Sequence, residues 1–219
     1  LQRHFPGASH PDGAAVALFD AVATAQAELV AHWMALGFVH GVLNTDNVAI
    51  SGETLDYGPC AFLDAFVPDR SFSSIDRAGR YAYANQPAIT QWNLARLAEA
   101  LIPLVADGGP RALQLMTQCL QRFPLHFTLA RRRRFGAKLG LSEVRPEDDA
   151  LIDELLALMA GQQLDFTLSF RRFVEVLDSG QEQPLLALFS DAPPLRDWLR
   201  RWRRRLGEEP AGAGAQVHT

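Results

Sequence analysis

The chain has 219 residues, of which 48% are hydrophobic and 21% are charged, and its formal net charge at pH 7 is −4. This length allows one domain with a substantial core or two small ones. Ordinary Gly, Pro and Cys contents exclude collagen-like and disulfide-scaffold classes, and we expect neither a membrane-spanning segment nor a signal peptide. Two cysteines far apart in sequence, Cys60 and Cys119, favour the reducing cytoplasm of a bacterial-type cell.

The basic residues are almost all arginine, since Lys138 is the only lysine among 21 Lys and Arg residues. The arginines concentrate in the runs 131–134 and 200–205. Such clusters bind nucleic acids or acidic partners in some proteins. The sequence pI of about 5.9 favours the other interpretation, in which they are solvated or paired with the chain's own carboxylates.

Most of the chain has the apolar spacing of helices. The predicted helices span 14–36, 87–106, 111–124, a basic piece ending at Gly140, 148–160, 164–177 and 195–206. Gly37 ends the first helix, and Pro124 is expected to bend or end the third. The tail 207–219 is predicted to be disordered.

Residues 38–66 break the helical pattern. Short β-prone pieces at 48–50 and 54–55 flank a turn at 51–53 and predict a small hairpin. Loops on a helical scaffold often carry function. Four polar residues precede, flank or follow this hairpin: Asp46, Asn47, Asp56 and Asp64.

Asn47 and Asp56 stand at the two ends of the hairpin, where their oxygens could meet on one hard cation. Mg²⁺ is usually held by one or two protein oxygens together with substrate phosphates. Asp56-Tyr57-Gly58 resembles the Asp-Phe-Gly motif of protein kinases, and Asn47 takes the place of the catalytic-loop Asn. The position of the kinase's catalytic Asp is Val42, but a carboxylate stands beside the metal ligand, at Asp46.

The run HGVLNTDNVAISGETLDYGP at 40–59, followed by GRYAY at 79–83, NQPA at 85–88 and WNL at 92–94, resembles the selenoprotein O family. The resemblance implies a protein-kinase-like fold and a protein adenylyltransferase activity. ATP would lie reversed relative to a kinase, so that AMP passes to a Ser, Thr or Tyr hydroxyl of a protein. By motif position, Asp46 would be the proton acceptor, Asn47 and Asp56 would bind Mg²⁺ or Mn²⁺, and Asp56 would contact the ATP site.

The resemblance further implies that residues 1–206 form a mainly α-helical, kinase-like C-terminal lobe with one small β-hairpin. The sequence contains no G-x-G-x-x-G loop and no strand lysine, so we expect an N-terminal lobe before Leu1 to supply them. The chain alone would then be inactive. Its partners would be ATP and protein substrates, without a membrane or a nucleic acid.

Three alternatives remain open. The polar residues of the loop could cap a turn and end a strand without further function. The parent protein could be an atypical kinase that transfers the γ-phosphate, or the chain could be a non-catalytic helical module that binds through its arginine clusters. The four tryptophans are predicted to be core or interface residues, and Arg80 is predicted to form a structural ion pair.

Overall fold

The computed structural model describes residues 1–105 and 108–210. It is mainly helical, as predicted. The helices are α1 (Ala14–Leu36), α2 (Gln86–Leu101), α3 (Gly109–Lys138), α4 (Asp148–Gly161), α5 (Phe166–Ser179), α6 (Gln183–Leu186) and α7 (Pro193–Leu206). Short 3-10 turns span Thr45–Asn47, Tyr83–Asn85 and Ile102–Leu104. The strands β1 (Phe38–Val39) and β2 (Ala61–Phe62) pair in a two-stranded sheet.

The described residues divide into two compact units. The first unit comprises Leu1–Met34, Phe38–Ala61 and Asp69–Ala130. The second comprises Ala35–Gly37, Phe62–Pro68 and the chain from Arg131 onwards. The predicted loop at 40–58 therefore belongs entirely to the first unit.

The core of the first unit is built from one face each of α1, α2 and α3. Its members include Val16, Phe19, Ala23, Leu94, Ala98, Met116 and Phe123. Within each helix these residues recur three, four or seven positions apart, which places them on one face. This packed scaffold is what holds the loop that follows α1.

α1 bears on the expectation that the chain has no membrane-spanning segment. It is 23 residues long with a mean hydropathy of 1.5 in its most apolar window, so by length and composition it could cross a membrane. Half of that window is buried within the protein. The central residues Ala27, Val30 and Ala31 are fully buried. A helix covered on most sides by protein is apolar nearly all round, which explains the resemblance to a membrane span.

α3 runs through Pro124, so of the two predicted outcomes the end of the helix is wrong, whereas the bend stays a prediction. A proline inside a helix removes one backbone hydrogen bond and normally costs about 3 kcal/mol. Pro124 itself is exposed, while Phe123 and Ala130 on the same helix are buried. Burial of this apolar face holds the helix continuous.

The second unit has an aromatic core. Phe170, Phe173, Trp198 and Trp202 lie in ring contact with one another, and both indoles are fully buried. Each indole N–H donates to a backbone carbonyl, at 2.8 Å for Leu151 and 2.9 Å for Leu139. The buried polar end of each ring is thus satisfied.

The arginine clusters are largely paired within this unit. Arg132 donates two hydrogen bonds to Asp149, Arg131 pairs with Asp153, and Arg205 pairs with Asp148. Further pairs join Arg200 to Asp197, Arg201 to Glu154 and Arg203 to Glu182. The interpretation of these runs as intramolecular ion pairs is confirmed.

The predicted disorder from residue 207 is wrong for its first residues. Glu208 pairs with Arg145, and Glu209 pairs with Arg205 at 2.6 Å. Glu209 also accepts hydrogen bonds from the amide and the hydroxyl of Ser142. Ser142 and Arg145 lie more than sixty residues away from these glutamates in sequence, which is why local composition does not reveal the contacts. Residues 211–219 lie outside the described residues.

Candidate active site

The predicted hairpin is present, but it is minimal. Val48 and Thr54 form a single antiparallel bridge, and the Gly52 N–H donates to the Ala49 carbonyl at 3.1 Å. Gly52 has φ +79°, a left-handed conformation that favours glycine. The regular strand pair of the structure, β1 with β2, lies outside this hairpin.

Two side chains of α1 hold the hairpin in place through hydrogen bonds. The Gln26 amide donates to the Ala49 carbonyl at 2.6 Å, and the Trp33 indole donates to the Thr54 hydroxyl at 3.0 Å. One bond reaches each side of the turn. A hairpin with a single bridge is marginal by itself, so these two side chains supply much of its order.

Asp46 and Asn47 sit in the 3-10 turn that precedes the hairpin. The Asn47 amide nitrogen donates to the Val42 carbonyl at 2.8 Å, and its backbone N–H donates to the Asn44 carbonyl. These bonds fix the side chain and use its donor end, which leaves the amide oxygen for a ligand. Asp46 beside it is exposed.

Asp56 follows the hairpin and is also exposed. Its φ of +56° lies in the left-handed region, which is uncommon for a residue other than glycine. Its Oδ1 accepts a hydrogen bond from the Gly58 N–H at 3.2 Å, a local turn that helps an aspartate adopt this conformation. Such strained positions persist only where the surroundings fix them.

His40 supplies that fixation. Its imidazole is fully buried, and Nε2 donates to the Leu55 carbonyl at 2.7 Å while Nδ1 accepts from the Val42 N–H at 3.4 Å. Burial lowers the pKa of His40, although the bond to Leu55 and the charge of Asp56 oppose this effect. The neutral ring thus joins the segment before Asp46 to the residue before Asp56.

Buried polar side chains on α2 support the same loop, and the sequence analysis missed them. Gln86 accepts from the His40 N–H at 3.0 Å and donates to the Phe38 carbonyl at 2.9 Å. Asn93 donates to the Leu43 carbonyl at 2.9 Å. With Thr90 they form a buried polar stripe at positions i, i+4 and i+7. This helical spacing of polar residues is the sequence signal that could have identified them.

The donor atoms fit a hard cation. No group of three or more His, Cys, Asp or Glu side chains suited to a metal occurs in residues 1–105 and 108–210. The bridge leaves Asn47 one residue before and Asp56 two residues after the paired positions, at the open end of the hairpin. Two oxygens supplied from these positions would suit Mg²⁺, a cation that is usually held by one or two protein oxygens together with phosphates and water.

The remaining candidates have other surroundings. Asp64 lies in the second unit, where its carbonyl accepts from the Phe166 N–H at 2.7 Å. Cys60 donates its thiol hydrogen to the Tyr57 carbonyl at 3.4 Å. Lys138, also in the second unit, lies 4.5 Å from the ring centre of Phe170, and burial lowers its pKa.

Arg80 differs from its prediction, and Trp92 is the most exposed of the four tryptophans. Trp33, Trp198 and Trp202 are buried, but Trp92 is 44% exposed. The Arg80 guanidinium lies 4.7 Å from the Trp92 ring centre, and within the described part of the chain no carboxylate forms an ion pair with it. A cation–π contact takes the place of the expected ion pair.

Nearly the whole chain matches one known protein family. The family model described as "Protein adenylyltransferase SelO" matches residues 1–217. The chain belongs to this family. It is 47% identical over 217 residues to the protein nucleotidyltransferase YdiU of Bradyrhizobium sp. (strain BTAi1 / ATCC BAA-1182). The match covers 99% of this chain and 44% of that relative.

Similar values hold for two other YdiU proteins. The chain is 48% identical over 217 residues to that of Nitrobacter hamburgensis, with 99% of this chain and 43% of the relative covered. It is 46% identical over 222 residues to that of Rhizobium etli, with 99% and 44% covered. The chain therefore spans less than half the length of these SelO-family relatives.

Proposed function

We propose that this chain carries the proton acceptor and the metal ligands of a protein adenylyltransferase. The observation that supports the proposal most is the His40 imidazole, which bonds to both Val42 and Leu55 and so fixes one loop. That loop presents Asp46, Asn47 and Asp56 at its polar end. Membership of the SelO family, and the nucleotidyltransferase names of the relatives, point to the same chemistry.

In the proposed reaction, the oxygen of a Ser, Thr or Tyr hydroxyl attacks the α-phosphorus of ATP. The bond between that phosphorus and the bridging oxygen breaks, and pyrophosphate leaves. Asp46 accepts the hydroxyl proton, a role that suits its exposed carboxylate. Positioning and charge neutralisation, rather than a covalent intermediate, carry reactions of this kind.

Asn47 and Asp56 would hold Mg²⁺ or Mn²⁺ together with the nucleotide. Bound there, the cation would neutralise charge on the phosphates. The chain's own contribution is to keep both oxygens in place: Asn47 through its bond to Val42, and Asp56 through the turn with Gly58. Both side chains are therefore preorganised before the nucleotide arrives.

The fold proposed for the parent is kinase-like, with this chain as its helical C-terminal lobe. The remaining half or more of the relatives' length would supply the phosphate-binding loop and the lysine that this sequence lacks. The chain alone is then expected to be inactive. The proposed partners are ATP and hydroxyl-bearing proteins in the cytoplasm.

The internal pairing of the arginine runs weighs against the non-catalytic alternative. A module that binds acidic partners through these runs would need their guanidinium groups available. Six ion pairs with the chain's own carboxylates occupy them instead. An external anion would have to displace those pairs.

A label on ATP separates the remaining activities. The full-length parent is incubated with Mg²⁺, a mixture of cellular proteins and ATP labelled on either the α- or the γ-phosphate. Adenylyl transfer puts the α-label and not the γ-label on protein. Transfer of the γ-label alone would establish a kinase, and no transfer of either label would contradict the proposal.

A further inference from the structure

The first unit contains a cavity of about 490 Å³ beside the proposed catalytic loop. Its lining includes Thr45, Ile50, Trp92, Asn93, Arg96 and Leu97. Thr45 is the residue immediately before Asp46, so the cavity begins next to the proposed proton acceptor. Its volume lies within the usual range of ligand sites, about 300 to 1,000 Å³.

Asn93, one of the residues that line the cavity, has a hydrogen-bond acceptor without a partner. Asn93 is only 4% exposed, and its amide nitrogen donates to the Leu43 carbonyl. Its Oδ1 is buried and has no hydrogen-bond partner among the described residues. An unpaired buried polar atom costs about 1–3 kcal/mol, and a ligand N–H or O–H that donates to Oδ1 would recover this energy.

Two guanidinium groups lie against the ring of Trp92, which lines the cavity. The Arg96 and Arg80 guanidinium groups lie 5.1 Å and 4.7 Å from the centre of the Trp92 ring. Arg96 also pairs with Glu99 on the surface. Among the described residues the Arg80 guanidinium forms no ion pair, although the Arg80 backbone N–H donates to the Asp76 carboxylate at 2.9 Å. Trp92 lines both this cavity and a shallower one of about 240 Å³ that includes Arg80.

We propose that this cavity binds the acceptor polypeptide, taking an apolar or aromatic side chain next to an acidic residue. The side chain enters between Ile50 and Leu97, and an N–H or O–H of the polypeptide donates to Asn93 Oδ1. The acidic residue pairs with Arg80 and Arg96, whose charges match it. The inference rests on the proposed function, since only a transferase that modifies proteins needs an acceptor polypeptide here.

Binding of a defined polypeptide tests this inference without any catalytic step. The probe is a fluorescein-labelled random copolymer of Glu and Tyr, and its anisotropy is followed as full-length parent is added. Reversing both charges in the variant Arg80→Glu/Arg96→Glu should weaken binding by about five- to tenfold. Ile50→Asp, at a half-exposed position, should weaken it as well.

The matched control is Arg200→Glu. Arg200, like Arg96, is an exposed helical arginine that pairs with a carboxylate three residues away. It does not line the cavity. Its variant should bind the copolymer as the wild type does, and a copolymer of Lys and Tyr should bind more weakly than that of Glu and Tyr.

Several results would overturn the inference. These are no binding by the wild type, unchanged binding by the double variant, or equal binding of the Lys copolymer. Failure of a maleimide to label Ile50→Cys in the parent would show that the parent's own residues cover the cavity.

The proposed function can fail separately. If the parent transfers the α-label to proteins but does not bind the Glu-Tyr copolymer, only the cavity assignment is wrong. If it binds the copolymer but transfers no label to any protein, the cavity is a binding site and its acceptor role is wrong.

Discussion

The Nε2 atom of His40 lies 2.7 Å from the carbonyl oxygen of Leu55, the residue before Asp56. On the other side of the same ring, Nδ1 accepts from the Val42 N–H. One buried side chain therefore sets the separation between the two segments that carry the proposed proton acceptor and metal ligands. We expect this bond to matter for both stability and activity.

Replacing His40 by Gln should change how stability depends on pH. Burial lowers the pKa of His40 below its ordinary value of 6.5, so below that pH the unfolded state binds the proton more tightly. The stability that the neutral His40 ring contributes is fully present above pH 6.5. It is lost as the pH falls toward the lowered pKa of the folded state. Urea denaturation of wild type and His40→Gln at pH 7.5 and 5.5 measures this.

The wild type should lose more free energy of unfolding between these two pH values than His40→Gln does. His4 is exposed near the start of the chain, so His4→Gln serves as the control and should keep the wild-type difference. An equal pH effect in wild type and His40→Gln would show that the imidazole is not held neutral.

Glu209 should stabilise the end of α7. Ser142, the Glu143 N–H and Arg205 hydrogen-bond to its carboxylate and lower its pKa to about 2, against the desolvation that raises it. Its stabilisation is therefore present above the unfolded pKa near 4.5 and lost as the pH falls toward 2. After allowance for solvent screening, Glu209→Gln should cost about 1–2 kcal/mol at pH 7.

Thermal unfolding at pH 7 and pH 3 measures this contribution. Glu99→Gln is the matched control, since it breaks an exposed pair with Arg96 and should cost less than about 0.5 kcal/mol. The difference between Glu209→Gln and the wild type should shrink at pH 3. A cost no larger than that of the control would contradict the assignment.

Pro124→Ala should stabilise the protein. The substitution restores the backbone hydrogen bond that proline removes from the middle of α3, and the exposed ring makes no core contact to lose. The expected gain is about 1–3 kcal/mol, below or equal to the full helix-interior penalty of proline. Denaturant midpoints of the two proteins measure it.

Pro193→Ala is the comparison for this change. Pro193 begins α7, where a proline is favourable because the first N–H has no partner in the helix. This variant should be neutral or slightly less stable than the wild type. Destabilisation by Pro124→Ala would show that α3 is bent there in solution.

Asp46→Asn in the full-length parent should lower kcat by about 10²- to 10⁴-fold, the usual contribution of a general base. The amide has nearly the same shape but does not accept the hydroxyl proton. Binding of Mg²⁺ and ATP should be retained, because Asn47 and Asp56 are unchanged. Nucleotide binding and adenylyl transfer are measured on the same preparation, and an unchanged kcat would exclude Asp46 as the acceptor.

The sequence predicted the small hairpin because the signals for it are local, while the roles of the loop residues stay predictions. Asp46, Asn47 and Asp56 fall within one short run, and the hairpin between them follows from β-prone residues around Gly52. Most helices also followed from apolar spacing. α5 begins at Phe166, two residues later than predicted, because Asp165 accepts from the Leu168 N–H as its N-cap.

What the sequence could not predict depends on distant partners. The unbroken helix at Pro124 follows from burial of Phe123, which tertiary packing decides. The ordered Glu208 and Glu209 depend on Ser142 and Arg145, far away in the chain. Local patterns carry no information about such contacts, so the corresponding predictions were wrong.

The most direct test of the central claim is adenylyl transfer by the full-length parent carrying Asp56→Ala. Transfer of α-labelled AMP to protein is measured across a Mg²⁺ series, with Asp69→Ala, an exposed carboxylate outside the loop, as the control. We predict that Asp56→Ala abolishes transfer at every Mg²⁺ concentration, whereas Asp69→Ala matches the wild type. Full, Mg²⁺-dependent transfer by Asp56→Ala would contradict the claim that this loop holds the metal.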